Sequence, residues 1–390
     1  MKEFWDILVK DYSKVGNLVH DSVPIDDNED NNKVERTWGT IEPREITGKP
    51  GFGHHHEVLS WIGGYDPERG SKVAGHRGYF LKGYGVLLNQ ALIHYGTKFL
   101  KNKGYDPVQP PYFMKREIMS ETAQLSDFDD QLYKLEGDPE PYYLIATSEQ
   151  PISAMYRNEW LEPQDLPLKY SGSSPCFRKE AGAHGKDTWG IFRVHQFEKV
   201  EQFIICSPEE SWKYHEEMIN VAEEFYKSLN LPYRVINIVS GALNDAAAKK
   251  FDLEAWFPGY GAYRELVSCS NCTDYQSRSI NVRLRTDKTK SDEKKYVHML
   301  NGTLCATERT MCCLLENYQT ETGVIVPEVL RAFVGTDFIP YIKEKLPVVK
   351  EDKKKDQKNK KEENIVKNKE TTKSSTEKEA QIEIETPKEI

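Results

Sequence analysis

The stretch Ser174–Ile205, SPCFRKEAGAHGKDTWGIFRVHQFEKVEQFII, decides the fold, because it carries charged residues inside two strand-like segments that a glycine-bearing loop separates. On a strand, Arg178 and Glu180 are two residues apart and point to the same face. In the returning segment Phe197 and Glu201 are four apart and also share a face. One sheet face would then carry an arginine, an aromatic ring and two carboxylates, a set suited to a nucleotide and an ammonium-bearing substrate.

The same stretch has a second interpretation. Charges on a core-facing surface are costly without partners, which favours a ligand site. An edge hairpin whose charged face lies in water would carry the same residues without that cost. From this stretch alone both interpretations stay open.

The composition indicates one large folded domain followed by a charged tail. Among the 390 residues, those from Val349 onward include no aromatic side chain and almost no apolar one. Such a segment cannot bury enough surface to offset the entropy of ordering. We predict a helical stub with a linker at 1–33, a folded domain at 34–347 and a disordered, lysine-rich tail at 348–390.

Charge and cysteine usage restrict the compartment and the partners. The N-terminal residues scatter charges and do not resemble a signal peptide, and no later stretch approaches a membrane span. Seven cysteines without a small-domain framework indicate a reducing compartment, so we predict a cytoplasmic protein with no membrane partner. The net charge of −9 argues against a generic nucleic-acid coat, although a local basic patch can still hold an RNA.

Two motifs contain metal-ligand residue types but are weak metal candidates. Cys269 and Cys272 form a C-x-x-C pair, yet a structural zinc site needs a second ligand pair at matching spacing. The histidines His54–His56 are adjacent, and adjacent side chains rarely converge on one ion, which favours a structural or surface role.

The rest of the pattern predicts helices and antiparallel strands in alternating blocks, an α+β fold. Leu81–Phe99 follows helical spacing. Gln109–Met114 contains two prolines and suits an edge strand. Ser207 opens a second helix with a capping box, Leu231–Val239 is predicted as a strand and Ile280–Leu300 as a hairpin.

Three further segments place polar side chains together. In LIATSEQP, Thr147 and Glu149 are two apart and would share one strand face. Glu265 and Ser268 lie at a predicted strand end, where they could ligate magnesium. Their spacing of three is awkward for a flat strand, so we expect a bulge or strand end between them.

The third segment is LNGTLCATERTMCC. Asn301 and Thr303 would share one face at a strand end, and Arg309 lies in the first turn of the next helix. The helix dipole favours anions at that end, so the arginine itself gains nothing there. A phosphate that both the arginine and the helix N-terminus attract explains it better.

Together these segments resemble the catalytic domain of seryl-tRNA synthetase, a class II aminoacyl-tRNA synthetase, from about Gly16 to Pro347. Tyr79–Met114 resembles the first motif of the class, FRKE to FEKVEQF the second, and the segment ending in Arg309 the third. TSEQP, RELVSCSNC and LNGT resemble the serine enzyme. The resemblance implies a class II antiparallel sheet flanked by helices, a homodimer formed through the first motif, and the eukaryotic cytosolic form.

The resemblance also implies a role for each polar residue. The implied serine pocket consists of Thr147, Glu149, Arg178, Glu201, Asn301 and Thr303. The implied ATP site consists of Arg178, Glu180, Arg193, Val194, Phe197, Glu265, Ser268 and Arg309. Glu149 would meet the ammonium, Glu201 the hydroxyl, and Arg178 both the serine carboxylate and the α-phosphate. The implied catalytic set is Arg178, Arg309 and Glu265.

The remaining implied roles concern the nucleotide and the metal. Glu180 and Phe197 would hold adenine, and Arg309 would cover its other face and reach the phosphates. Arg193 would meet the γ-phosphate. Glu265 and Ser268 would carry Mg²⁺.

The implied reaction is the ATP-dependent activation of L-serine to seryl-adenylate and transfer of the seryl group to the 3′ end of tRNA(Ser). The family carries a long N-terminal coiled-coil arm that grips tRNA, of which we expect only a stub here. We therefore expect adenylate formation to survive and tRNA selection to weaken, with His184 and Lys186 left to contact the acceptor end. Two alternatives stay open: a ligase that loads an amino acid onto a carrier protein, and a non-catalytic regulatory paralogue.

Overall fold

The computed structural model describes residues 15–122, 131–137, 139–180, 188–285 and 295–346. They form a mixed α+β architecture with one large sheet flanked by helices, which confirms the predicted fold class. The predicted tail, residues 1–14 of the predicted stub, and His184 and Lys186 lie outside these ranges. The predicted domain boundaries stay predictions.

Eighteen strands are present in the described ranges. They are β1 (Lys33–Trp38), β2 (Tyr65–Asp66), β3 (Phe80–Leu81), β4 (Asp106–Val108), β5 (Phe113–Lys115), β6 (Lys134–Leu135), β7 (Tyr142–Leu144), β8 (Trp160–Leu161), β9 (Leu168–Phe177), β10 (Gln196–Cys206), β11 (Tyr233–Asn237), β12 (Lys249–Phe257), β13 (Ala262–Asn271), β14 (Arg283–Leu284), β15 (Lys295–Tyr296), β16 (His298–Ala306), β17 (Gly323–Ile325) and β18 (Phe338–Pro340). The large sheet has the order β1-β11-β12-β13-β16-β10-β9-β4. All its neighbours are antiparallel except β4 and β9.

The helices of the described ranges are α1 (His55–Trp61), α2 (Pro67–Ala74), α3 (Tyr84–Asn102), α4 (Arg116–Thr122), α5 (Glu149–Ser153), α6 (Ser211–Ser228), α7 (Tyr275–Ser279), α8 (Thr307–Tyr318) and α9 (Glu328–Val334). Short 3₁₀ turns span Glu29–Asn31, Ala154–Tyr156, Pro163–Asp165, Pro208–Glu210, Ser240–Ala242 and Lys343–Lys345. Within the parts of the chain described, no helix has the length and apolar character that crossing a bilayer requires.

Alternation along β10 separates the two faces of the sheet. Val200 and Ile204 belong to the main hydrophobic core, which contains residues of α3, α6 and α8. Phe203 and Ile205 belong to a second, smaller core. Because successive strand residues point to opposite faces, the odd-numbered polar residues of β10 lie on the face opposite to α3, α6 and α8.

Several predicted elements differ in extent from the observed ones. The helix predicted at Leu81–Phe99 begins at Tyr84, because Gly83, with a φ of 48°, precedes it in a non-helical conformation. The two prolines of Gln109–Met114 lie between β4 and β5 instead of in a strand, in keeping with their missing N–H groups. The hairpin predicted over Ile280–Leu300 was too long: β14 and β15 pair over two residues each, and β16 then joins the large sheet.

The predicted structural role of the histidine tract applies to His55. This side chain is 1% exposed, and its Nδ1 lies 2.9 Å from the buried Glu316 carboxylate. Its Nε2 lies 3.2 Å from the carbonyl oxygen of Trp189. The contact ties α1 and α8 to the segment that leads into β10, and that segment borders the site described below.

Candidate active site

Glu201 is the centre of a buried polar network on β10. Its Oε2 accepts hydrogen bonds from the hydroxyls of Thr147 and Ser148, the latter at 2.6 Å, and from the backbone N–H of Glu149 at 3.3 Å. Its Oε1 accepts one from Lys199 Nζ at 2.5 Å. Burial alone would raise the pKa of Glu201, but the Lys199 ammonium and these hydrogen bonds hold it at about 2. The carboxylate is therefore charged throughout the neutral range.

Glu149 is a second buried carboxylate, and its pKa is shifted in the opposite direction to that of Glu201. Its Oε1 accepts hydrogen bonds from Gln276 Nε2 at 2.7 Å and from Asn301 Nδ2 at 2.9 Å. Burial and the nearby Glu201 charge raise the pKa of Glu149 to about 7, against the hydrogen bond from Gln276. The pocket thus pairs one fixed negative charge with a carboxyl that titrates near neutrality.

The placement of two pairs in this pocket differs from the prediction. Thr147 and Glu149 do not share a strand face, because Thr147 lies in a bend after β7 and Glu149 begins α5. They still converge on Glu201, since backbone N–H groups at a helix start are free to bind an acceptor. Asn301 and Thr303 lie within β16, not at its end, and Thr303 is directly opposite Glu201 in the ladder with β10.

Arg178 lies where the serine pocket and the nucleotide site would meet. Its Nε donates to the carbonyl oxygen of Ala146 at 3.3 Å, and its guanidinium lies 5.3 Å from the centre of the Phe197 ring. Arg178 follows the last residue of β9, Phe177, so the predicted strand alternation of Arg178 and Glu180 is wrong because the strand ends before both residues. Glu180 has a φ of 49° and accepts a hydrogen bond from Arg193 Nη1 at 3.1 Å.

Arg309 lies in the first turn of α8, as predicted. Its Nε donates to the carbonyl oxygen of Phe192 at 3.2 Å, and its guanidinium lies 4.9 Å from the centre of the Phe192 ring. Its Nη1 lies 3.8 Å from Glu265 Oε2. Burial lowers the pKa of Arg309, Glu265 opposes this, and the charges of Arg193 and Arg178 add to the lowering. The three guanidinium groups therefore border one positive region, which suits a polyphosphate.

A cavity of about 170 Å³ lies beside Arg309. Its walls include Arg193, Arg264 and Arg309 together with the carboxylates of Glu254 and Glu265. Both signs of charge are present, so the cavity has groups for phosphate oxygens and for a cation.

Of the bulge or strand end expected between Glu265 and Ser268, the structure has the bulge. Both residues lie within β13, not at its end, and the ladder with β12 shifts between Leu253 and Glu254, opposite Leu266. The extra residue brings two side chains three positions apart to the same face. Their oxygen atoms can therefore act together.

Asp252 faces this pair from β12 and was missed by the sequence analysis. It is directly opposite Ser268 in the ladder and is 8% exposed. Burial and the nearby Glu265 carboxylate raise the pKa of Asp252 to about 8, while a hydrogen bond with Ser268 opposes the shift. Its Oδ1 has no hydrogen-bond partner among the described residues.

Three other members of the network were also missed: Ser148, Lys199 and Gln276. Lys199 had a signal, because it lies two residues before Glu201 on the same strand face. Gln276 is 127 residues from Glu149 and had none. Among the predicted residues, Val194 packs its side chain into the main core at 3% exposure, so only its backbone is available to a nucleotide.

The chain is similar to known proteins in sequence and in fold. The family model described as tRNA synthetase class II core domain (G, H, P, S and T) matches residues 133–318. The chain is 61% identical over 337 residues to the cytoplasmic serine–tRNA ligase of Dictyostelium discoideum, covering 86% of this chain and 74% of that protein.

Two solved structures are also similar. The cytoplasmic serine–tRNA ligase of Naegleria fowleri in complex with AMP is 53% identical with a TM-score of 0.82, covering 87% of this chain and 79% of that chain. The seryl-tRNA synthetase of Pyrococcus horikoshii complexed with ATP is 43% identical with a TM-score of 0.82, covering 88% of this chain and 79% of that chain.

These similarities confirm the predicted resemblance to seryl-tRNA synthetase and the predicted enzyme class. They also confirm the predicted cytoplasmic form, because several of the relatives are named cytoplasmic serine–tRNA ligases. The carrier-protein ligase and the regulatory paralogue lose their support. The chain belongs to the serine–tRNA ligase family of class II aminoacyl-tRNA synthetases.

Proposed function

We propose that this chain activates L-serine with ATP and transfers the seryl group to the 3′ end of tRNA(Ser), using the residues described above. The observation that carries the proposal is the junction at Arg178. The charge of Arg178 acts both on Glu149, whose backbone N–H binds Glu201, and on Arg309, whose pKa Arg193 also lowers.

Each polar group of serine has a partner of matching charge in the pocket. The ammonium would pair with Glu149, whose Oε1 is held by Gln276 and Asn301. The hydroxyl would bind at Glu201. The substrate carboxylate would bind Arg178, whose Nε contact with Ala146 fixes it beside the pocket.

Arg178 and Arg309 would hold the α-phosphate while a serine carboxylate oxygen attacks its phosphorus. A new P–O bond forms as the α–β P–O bond breaks, and pyrophosphate leaves. Positioning and charge stabilisation then supply the catalysis, and no covalent nucleophile of the protein is required. In the second step a ribose hydroxyl of the tRNA attacks the seryl carbonyl carbon and AMP leaves.

The adenine would stack on Phe197, beside which the Arg178 guanidinium lies. Glu180 would accept from the adenine amino group, as the family resemblance implies. Arg193, which Glu180 binds, would reach the γ-phosphate. The ATP and AMP complexes of the two similar structures support a nucleotide site in this fold.

The residues around Ser268 fit Mg²⁺. Glu265, Ser268 and Asp252 offer hard oxygen donors, which Mg²⁺ prefers, and the buried Asp252 Oδ1 is unpartnered within the described chain. A bound Mg²⁺ would neutralise phosphate charge as it develops. Glu254 is less suited, because Arg234 binds it at 2.5 Å.

Replacing Asp252 with asparagine is expected to raise the Mg²⁺ concentration needed for half-maximal activity by about tenfold, the lower range for losing a supporting metal contact. Serine-dependent exchange of pyrophosphate into ATP, measured against Mg²⁺ at constant ATP, checks this. D274N, which removes a carboxylate that pairs with Arg278, is the control. Identical Mg²⁺ curves for D252N and the wild type would exclude Asp252 from the metal site.

The raised pKa of Glu149 predicts a pH dependence for serine binding. Only the carboxylate form pairs with ammonium, so kcat/KM for serine is expected to fall about tenfold per pH unit below pH 7. The KM for ATP should change much less. In E149Q, kcat/KM for serine should be low at every pH and should no longer fall below pH 7. If it still fell as in the wild type, the titrating group would be another residue.

A homodimer formed through Tyr79–Met114 remains part of the proposal. Its support is a set of exposed apolar side chains in and beside this segment: Phe80 at 44%, Val86 at 39%, Leu87 at 41% and Phe113 at 51% exposure. Burying them against a second copy would remove apolar surface from water. Sedimentation at micromolar protein, compared with the chain mass of 45.0 kDa, tests it.

The function is tested by pyrophosphate exchange with each amino acid in turn, followed by charging of total tRNA. Serine should support exchange far better than any other amino acid, and labelled serine should become attached to tRNA. Exchange without charging would support the activation of serine and contradict its transfer to tRNA by this chain. No serine-dependent exchange would contradict the proposal.

A further inference from the structure

Lys199 is a buried ammonium in the serine pocket with no role assigned so far. It is 7% exposed and lies on the same face of β10 as Glu201, which is 6% exposed. Its Nζ donates to Glu201 Oε1 at 2.5 Å and to Thr147 Oγ1 at 3.1 Å. A buried ion pair adds little net stability compared with apolar packing, so stability alone does not account for a lysine here.

The hydrogen bonds of Glu201 leave only one of its oxygens for a substrate. Oε2 already accepts from Thr147, Ser148 and the backbone of Glu149. A carboxylate offers about four lone-pair sites over its two oxygens, so Oε2 is saturated. Oε1, which binds Lys199, keeps the remaining site.

The ammonium of Lys199 has three donors, and the described residues take two of them, through Glu201 and Thr147. A hydroxyl next to Oε1 would therefore also be next to the third donor. We propose that Lys199 is a specificity-determining residue: the serine hydroxyl donates to Glu201 Oε1 and accepts from Lys199 Nζ. The inference rests on the proposed function. It adds Lys199 to Glu201, so that the pair binds both the hydrogen and the oxygen of the serine hydroxyl.

The pair explains rejection of substrates that lack a hydroxyl. Bound alanine would leave Glu201 Oε1 and Lys199 Nζ without a substrate hydrogen bond. Because the site is buried, water would not replace those hydrogen bonds. Sites that hydrogen-bond a substrate hydroxyl discriminate against its absence far more strongly than sites that only exclude volume.

The test is K199M, assayed by pyrophosphate exchange with serine and with alanine. The ratio of kcat/KM for serine over alanine should fall about tenfold or more, as expected for one hydrogen bond to a charged group. The KM for ATP should stay within about twofold, since Lys199 contacts no residue of the predicted nucleotide site. That split separates a specificity role from general damage to the fold.

The matched control is K169M, on the adjacent strand β9. Lys169 pairs with Glu217 at 2.6 Å, outside the pocket, so its serine-over-alanine ratio should be unchanged. If K199M does not fold, K199Q takes its place, because the glutamine side chain is too short to keep all three contacts. An unchanged ratio in the folded variant would overturn the inference, whereas absence of serine-dependent exchange in the wild type would overturn the proposed function itself.

Discussion

Replacing Arg309 or Arg178 with alanine is expected to lower serine-dependent pyrophosphate exchange by about a hundredfold or more, the loss typical of one preorganised electrostatic donor. Arg309 is already aligned before any phosphate arrives, by the Phe192 carbonyl and ring and by Glu265. Arg178 is held in the same way by the Ala146 carbonyl. Neither side chain has to reorganise in the transition state, so its removal should reduce kcat more than it raises KM.

The control for both variants is R285A. Arg285 is 57% exposed at its side chain and pairs with Glu162, away from the site, so exchange should remain normal. R309K should recover only part of the activity, because an ammonium lacks the planar fork of a guanidinium. Near-normal exchange in both R178A and R309A would show that the assignment of the second and third motifs is wrong.

Replacing Glu201 with glutamine should lower the preference for serine over alanine by about a hundredfold or more, since hydroxyl-binding sites can discriminate by about ten-thousandfold. The amide has the shape of the carboxylate but only one acceptor oxygen. It cannot satisfy Thr147, Ser148, Lys199 and the substrate hydroxyl together. The comparison of kcat/KM for the two amino acids, with the KM for ATP as an internal reference, checks this.

E217Q is the matched control for E201Q, because Glu217 also pairs with a lysine but lies outside the pocket. Its preference for serine should be that of the wild type. If E201Q instead kept its discrimination while its affinity for ATP collapsed, Glu201 would belong to the nucleotide site.

Residue spacing predicted the part of the site that strands build. The face shared by Phe197 and Glu201 followed from strand alternation, and the three-residue spacing of Glu265 and Ser268 required a bulge, which is present in β13. Arg309 was expected in the first turn of the helix that follows LNGT, and it lies in the first turn of α8. In each case the signal was local in sequence.

Local rules failed where tertiary structure decides. Thr147 and Glu149 were expected on a strand, but the segment turns into α5 and reaches Glu201 through a helix start. Gln276 and Asp252 enter the site through long-range packing and cross-strand register, which no nearby residue signals. Their importance follows only from distances and burial.

Glu149, Glu201 and the three arginines are proposed to form one site for serine joined to AMP. Calorimetry with two stable sulfamoyl analogues of the aminoacyl-adenylates, one carrying serine and one alanine, tests it without turnover or tRNA. The seryl analogue should bind at least about a hundredfold more tightly than the alanyl analogue, because only it satisfies the hydroxyl partners in the pocket. Equal affinities for the two analogues, or no binding of either, would contradict a site of this kind.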